Sequence, residues 1–189
     1  MTTPFYKEIY SCLKAAPSDE LDEVIALCLA ETEFLKVNSF YTEATLTRIA
    51  EKEYDTGFFR IGGNLITATL KDAPKAVLLA ATLGIRSDAL IRRTYGESAA
   101  RGVVMDAVLS AKIEFAVNDM NDAVTEEYLK KGFRTGKRIS AGYGDWKLSD
   151  QRKYVEAFGL NKRLGVYLSG ADMFTPAKTV TALIPLFPL

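Results

Sequence analysis

The stretch from Glu97 to Lys130 constrains the fold most, because it reads as one long helix interrupted only by Gly102 near its start. Within it Val104, Val108, Ala111, Phe115 and Met120 make an apolar stripe that has to be buried. The rest of the chain must supply what covers it. Phe5–Ala15 and Asp19–Leu35 carry apolar residues at helical spacing, with Pro17-Ser18 between them as break and start signal. Asp19, Glu20, Asp22 and Glu23 crowd the first turn of the second of these, where acidic side chains suit the helix dipole. Ser87–Tyr95 and Ser149–Phe158 are also helical in pattern.

Between and after the helices the pattern changes to strands. Val37–Ile49 is mostly β-branched and aromatic, and Phe58–Ile61, Asn64–Leu70 and Ala76–Thr82 follow as further strands, parted by Gly62-Gly63 and Asp72-Ala73-Pro74. Gly132 and Gly136 close the long helical stretch, and Lys137–Ser140, Gly165–Leu168 and Lys178–Leu186 read as three more strands. With no repeat, linker or low-complexity run, the pattern predicts one α+β domain over 1–189, its first 36 residues a helical part. The sheet is expected to be twisted, mixed or antiparallel, with flanking helices.

Composition excludes several classes of function. Lysine plus arginine equals aspartate plus glutamate at 24 each, which leaves no net field to attract nucleic acid or an acidic membrane. The start of the chain lacks a secretory pattern and the longest apolar run, Ala76–Leu83, is too short to span a bilayer, so a cytoplasmic protein is expected. Histidine is absent, which removes Ser-His and Cys-His nucleophile systems and the commonest metal ligand together. The two cysteines, Cys12 and Cys28, are too few for a zinc site and too far apart for a redox pair, and both read as small core residues. Ser98, in Gly96-Glu97-Ser98-Ala99-Ala100, lacks both the second glycine of a nucleophile elbow and a histidine base.

One segment does point to a ligand. In Arg138-Ile139-Ser140-Ala141-Gly142-Tyr143-Gly144-Asp145-Trp146 a guanidinium and a phenol sit on a loop whose glycines allow a sharp turn. Arginine offers a planar fork that matches a carboxylate at two points, and tyrosine adds a flat apolar face with a polar tip. The plainer reading is a salt-bridged residue at a strand end followed by turn-forming glycines.

The segment Arg138–Gln151, followed by Leu164–Leu168 and by Met173–Val180, resembles the activation, or reactivation, domain of cobalamin-dependent methionine synthase in its free-standing form. The likeness extends upstream to Ala80–Gly84 and to the helix around Asp106–Glu114. In that family Arg-x-x-x-Gly-Tyr binds S-adenosylmethionine, so the resemblance implies a site in which Arg138 takes the ligand's carboxylate. Backbone groups of Ser140, Ala141 and Gly142 would then hold the adenine and amino-acid ends. For the positive end it implies Glu114, with Asp106 the alternative two turns earlier, and either can equally be a solvated helix charge. Tyr143 would mark the mouth of the site, facing the corrin of a partner, with Asp145 and Trp146 at the rim; the alternative is that Tyr143 and Trp146 pack the loop onto the sheet.

The sequence departs from the family where Ser169-Gly170-Ala171 stands in place of a common Thr-Glu-Ser run, and where it ends at Phe187-Pro188-Leu189, before a tyrosine-containing segment that helps cover the ligand. Weak binding by the protein alone is the expectation. The resemblance implies a detached, cytoplasmic module that docks on the cobalamin domain of a separate, truncated methionine synthase or another corrinoid protein. A flavodoxin or ferredoxin would supply electrons for reductive methylation of cob(II)alamin. The cobalamin is carried by the partner, and this chain has no complete active site of its own. The alternative is a non-catalytic small-molecule-binding or sensor protein that keeps the fold.

Overall fold

The computed structural model describes residues 3–189. Helices α1 (Pro4–Leu13) and α2 (Asp19–Glu31) begin at side-chain caps, the Thr3 and Ser18 hydroxyls accepting from the Tyr6 and Leu21 N–H groups. After them strand β1 (Asn38–Thr45) pairs with β5 (Lys75–Thr82), β5 pairs with β9 (Thr179–Pro188), and β9 pairs with β6 (Phe133–Thr135), all antiparallel. A small second sheet is formed by β2 (Thr47–Ala50), β3 (Glu53–Asp55) and β4 (Arg60–Gly62). Helix α3 (Asn64–Leu70) precedes β5; α4 (Ile85–Glu97) and α5 (Ala99–Lys130) follow it. Past β6 come a 3₁₀ turn (Leu148–Asp150), α6 (Gln151–Phe158), α7 (Leu160–Arg163) and the hairpin β7 (Tyr167–Leu168) with β8 (Phe174–Thr175).

The fold class is therefore α+β with antiparallel sheets. Strand β5 explains the layering, since its apolar run is buried on both faces. Val77, Leu79 and Ala81 pack with Ala182, Ile184 and Leu186 of β9 against α1, α2, α4 and α5. Ala76, Leu78, Ala80 and Leu183 face the other way, into a second cluster built on Tyr54, Ile61, Ile66, Trp146, Tyr154 and Phe158. At about 25 cal/mol per Å² of apolar surface removed from water, these two clusters are the main force assembling the layers.

Several expectations are corrected. The break in the long helical stretch falls at Ser98, whose extended backbone ends α4 and whose hydroxyl accepts from the Arg101 N–H to cap α5. Gly102 lies inside α5 because Tyr95 packs there, with a Cβ at 102 only 2.9 Å from the Tyr95 Cα. Gly102→Ala gains about 1 kcal/mol of helix propensity. Overpacking costs about 1–3 kcal/mol, and a clash with backbone cannot be relieved by a rotamer change. The variant is expected to show a lower urea midpoint at unchanged slope; an equal or higher midpoint would show that the α4–α5 crossing yields.

Asn64–Leu70 is a helix rather than a strand: Ile66 and Leu70, four apart, are both fully buried, and its first N–H groups are capped from elsewhere in the chain. Val37–Ile49 divides at Leu46 between the two sheets, its N–H donating to the Pro74 carbonyl at 2.9 Å. Lys137–Ser140 is reduced to a single bridge, Ile139 with Leu183. Cys12 is exposed, on the outer side of α1, whereas Cys28 is buried as expected. No helix among the described residues is long and apolar enough to cross a membrane.

Candidate functional site

Beyond β6 the chain stays beside β9 for one more pair, Ile139 exchanging both backbone hydrogen bonds with Leu183 at 2.9 and 2.8 Å, and then turns away. The turn is held by its own backbone: Tyr143 N–H donates to Ser140 O at 3.2 Å, Gly142 N–H to Trp146 O at 2.8 Å, and Trp146 N–H to Tyr143 O at 3.0 Å. Gly142 and Gly144 take φ of +95° and +55°, and the space a Cβ would need is occupied by Leu148 and Leu65 respectively. These glycines thus serve the turn and its packing.

Where the chain leaves β9 a cavity of about 600 Å³ opens. Arg138, Ser140, Ala141 and Tyr143 line it, and α5 contributes Glu114, so those predicted residues are brought together at one place. Gly142 is not among the lining residues, and its N–H is used by the turn. The N–H of Ser140 and both backbone groups of Ala141 have no backbone partner in this turn. Arg138 Nη2 donates to Glu114 Oε2 at 3.0 Å, while Nη1 is buried without a partner. Asp106 lies elsewhere on α5, paired with Lys178 Nζ at 3.0 Å, and is not part of the cavity wall.

The aromatic residues of the loop divide. Tyr143 is 61% exposed at the cavity, whereas Trp146 is 1% exposed and its indole N–H donates to Asp150 Oδ2 at 3.0 Å. Trp146 is the residue that packs the loop down. Asp145 is not a rim residue either, since its carboxylate accepts the Leu65 and Asn64 N–H groups, at 2.8 and 2.6 Å, and so caps α3. Those two backbone hydrogen bonds, that to Leu65 foremost, hold its carboxyl below the usual aspartate range.

A lowered folded pKa means that the cap's contribution is complete above the unfolded value, about 3.9, and is lost as pH falls through the folded value. Asp145→Ala is therefore expected to melt earlier than wild type at pH 7, with the gap closing in acid. A gap unchanged from pH 7 down to pH 2 would show that the carboxylate charge is not what caps α3.

The cavity also has walls that the sequence did not mark: Leu65 and Thr69 of α3, Gln151 of α6, Phe174 of β8, and Thr179 and Thr181 of β9. The backbone N–H of Gln151 is used by the preceding turn, donating to Leu148 O and Ser149 O, but its side-chain Oε1 is fully buried without a partner. Arg152, its neighbour, holds Asp172 at 2.7 Å and so ties the β7–β8 turn to α6. No group of acidic, cysteine or histidine side chains suited to a metal ion occurs among the described residues.

The arrangement is that of an α+β domain with a cavity at an open sheet edge, one arginine at its wall and an exposed tyrosine beside it. The same fold is found in the crystal structure of the MetH reactivation domain bound to AdoHcy, with a TM-score of 0.71 and 12% sequence identity over 95% of this chain and 72% of that one. The resemblance read from the sequence thus holds in three dimensions at the level of the fold. No family model matches the chain. No curated protein matches it either.

Proposed function

We propose that this cavity binds S-adenosylmethionine and that the protein acts as a reactivation subunit for a separate cobalamin-dependent methionine synthase or related corrinoid protein. The observation that carries the reading is Arg138: its guanidinium lines a cavity of about 600 Å³, with Glu114 holding Nη2 and Nη1 buried and unpartnered. A carboxylate at Nη1 would satisfy that donor and replace nothing the fold needs. The shared fold supports it, since the related structure holds AdoHcy.

The corrinoid would be carried by the partner and would supply the nucleophilic metal, with electrons from a flavodoxin or ferredoxin. This chain's part is binding, orientation and exclusion of water, which needs no acid/base residue and suits a sequence without histidine. Tyr143 at the cavity, and Tyr167 and Met173 of the β7–β8 hairpin whose Phe174 lines it, are each more than half exposed and are apolar side chains for such a partner to cover. Calorimetry with S-adenosylmethionine, alone and with a cobalamin-loaded partner, tests the reading. Binding that appears or tightens with the partner is the expected result.

A sensor protein is the second reading, favoured by the Glu114–Arg138 pair, which already neutralises part of the site. S-adenosylmethionine binding indifferent to the corrinoid partner, or no such binding in either condition, would select it over the reactivation subunit.

A further inference from the structure

Two polar features of the cavity are left without a role by the arginine alone. In an antiparallel strand alternate residues direct their N–H and C=O groups to the same neighbour. Leu183 directs both of its groups to Ile139, while Lys178 O accepts from Leu83 N–H on the β5 side at 3.0 Å. The backbone groups of Thr181 therefore point the same way as those of Leu183, into the gap from which the chain has turned away, and no strand receives them. Thr181 lines the cavity at that point. The second feature is the Gln151 amide, one atom of which is completely buried without a partner at the wall of the same cavity. An unpartnered buried amide is a standing cost to the fold, and a ligand edge that pairs with it removes the cost.

These features lie across the sheet edge from the guanidinium. Ile139 packs into the cluster that contains Trp146 and Tyr154, so its neighbour Arg138 points to the opposite face, where it meets Glu114 of α5. Gln151 stands at the start of α6, on the Ile139 side.

We infer that Gln151, with the free backbone edge of Thr181, is the specificity determinant for a purine base, so that the ligand lies across the sheet edge with its carboxylate at Arg138 and its base between α3, α6 and β8. This rests on the reading of the cavity as an S-adenosylmethionine site. A primary amide can donate and accept at once, which matches the amino group and ring nitrogen of adenine at two points. Leu65 and Phe174 supply the apolar faces between which a flat base fits.

The test uses the full chain, under whichever condition, alone or with the corrinoid partner, wild type binds S-adenosylmethionine. Three ligands are titrated: S-adenosylmethionine, 5′-methylthioadenosine, which keeps the base and lacks the amino-acid end, and methionine, which is the reverse. Fragments are measured by competition with S-adenosylmethionine. Gln151→Leu is expected to weaken S-adenosylmethionine and 5′-methylthioadenosine roughly 10- to 100-fold and to leave methionine unchanged. Gln151→Met, closer in shape, should do the same, and neither variant should melt below wild type, because a buried unpartnered amide has been removed. Equal losses for methionine and 5′-methylthioadenosine, or undiminished binding of 5′-methylthioadenosine, overturn the assignment of Gln151 while the S-adenosylmethionine site stands. Failure of wild type to bind S-adenosylmethionine under either condition overturns both.

Discussion

Arg138→Ala is expected to abolish measurable binding of S-adenosylmethionine while leaving the fold intact. Truncating a guanidinium that meets a carboxylate in a largely desolvated site costs about 3 kcal/mol, which is more than 100-fold in affinity. Stability moves far less. The Glu114 side chain is 39% exposed, so its partner can be replaced by water, and a partly exposed pair contributes about 0–1 kcal/mol. Removing the unpartnered Nη1 offsets part of even that loss. Calorimetry and thermal melts on the same preparation check the two halves, and unchanged affinity in a normally folded variant would exclude Arg138 as the carboxylate clamp.

Trp146→Ala is expected to damage stability and site together. The indole is among the largest fully buried side chains, and emptying such a volume costs about 3–5 kcal/mol. The change also strips Asp150 of the indole N–H, leaving a buried carboxylate with Lys153 Nζ, 2.9 Å away, as its remaining side-chain partner. For a chain of this size about 2–4 °C of melting temperature is lost per kcal/mol, so a fall on the order of 10 °C is predicted. Because Trp146 anchors the turn that carries Tyr143 and follows Arg138, ligand affinity should fall with it. A variant that melted within a degree or two of wild type would mean that the loop is held by its glycine turns and Asp145 alone. Trp146→Phe, which keeps most of the volume and loses the hydrogen bond, should fall between the two.

Much of the architecture was legible because it is local. The α5 stripe at Val104, Val108 and Ala111 and the start signal at Ser18 are patterns within a few residues, and the structure keeps them. The misreadings have a common cause in contacts between residues distant in sequence. Asn64–Leu70 carries β-branched residues that suit a strand, but Asp145 caps it from eighty residues away and Ile66 and Leu70 find a core on one side. Gly102 resembled a helix breaker, and its reason is the close passage of Tyr95 from the preceding helix. The small-sheet strand β3 is three residues long and went unread, since so short a run carries no period.

The candidate site shows the same division. That Arg138 and Tyr143 share one loop was legible in the sequence, and the family likeness of that segment suggested Glu114 or Asp106 as their acidic neighbour; the structure puts Glu114 there. That Asp145 caps a helix, that Trp146 is core, and that Gln151 and Thr181 face the same space as Arg138 could not, because their neighbours come from α3, α6 and β9.

By itself the sequence determined which long segments are helices, that Ala76–Thr82 is an apolar strand, and that no histidine chemistry is available. Only the tertiary structure decided where the backbone leaves β9, and hence that an open sheet edge, a paired guanidinium and an unpartnered amide share one cavity. The reason is physical: propensity and periodicity act over one or two turns of chain, whereas a cavity exists only where separate elements fail to close on one another.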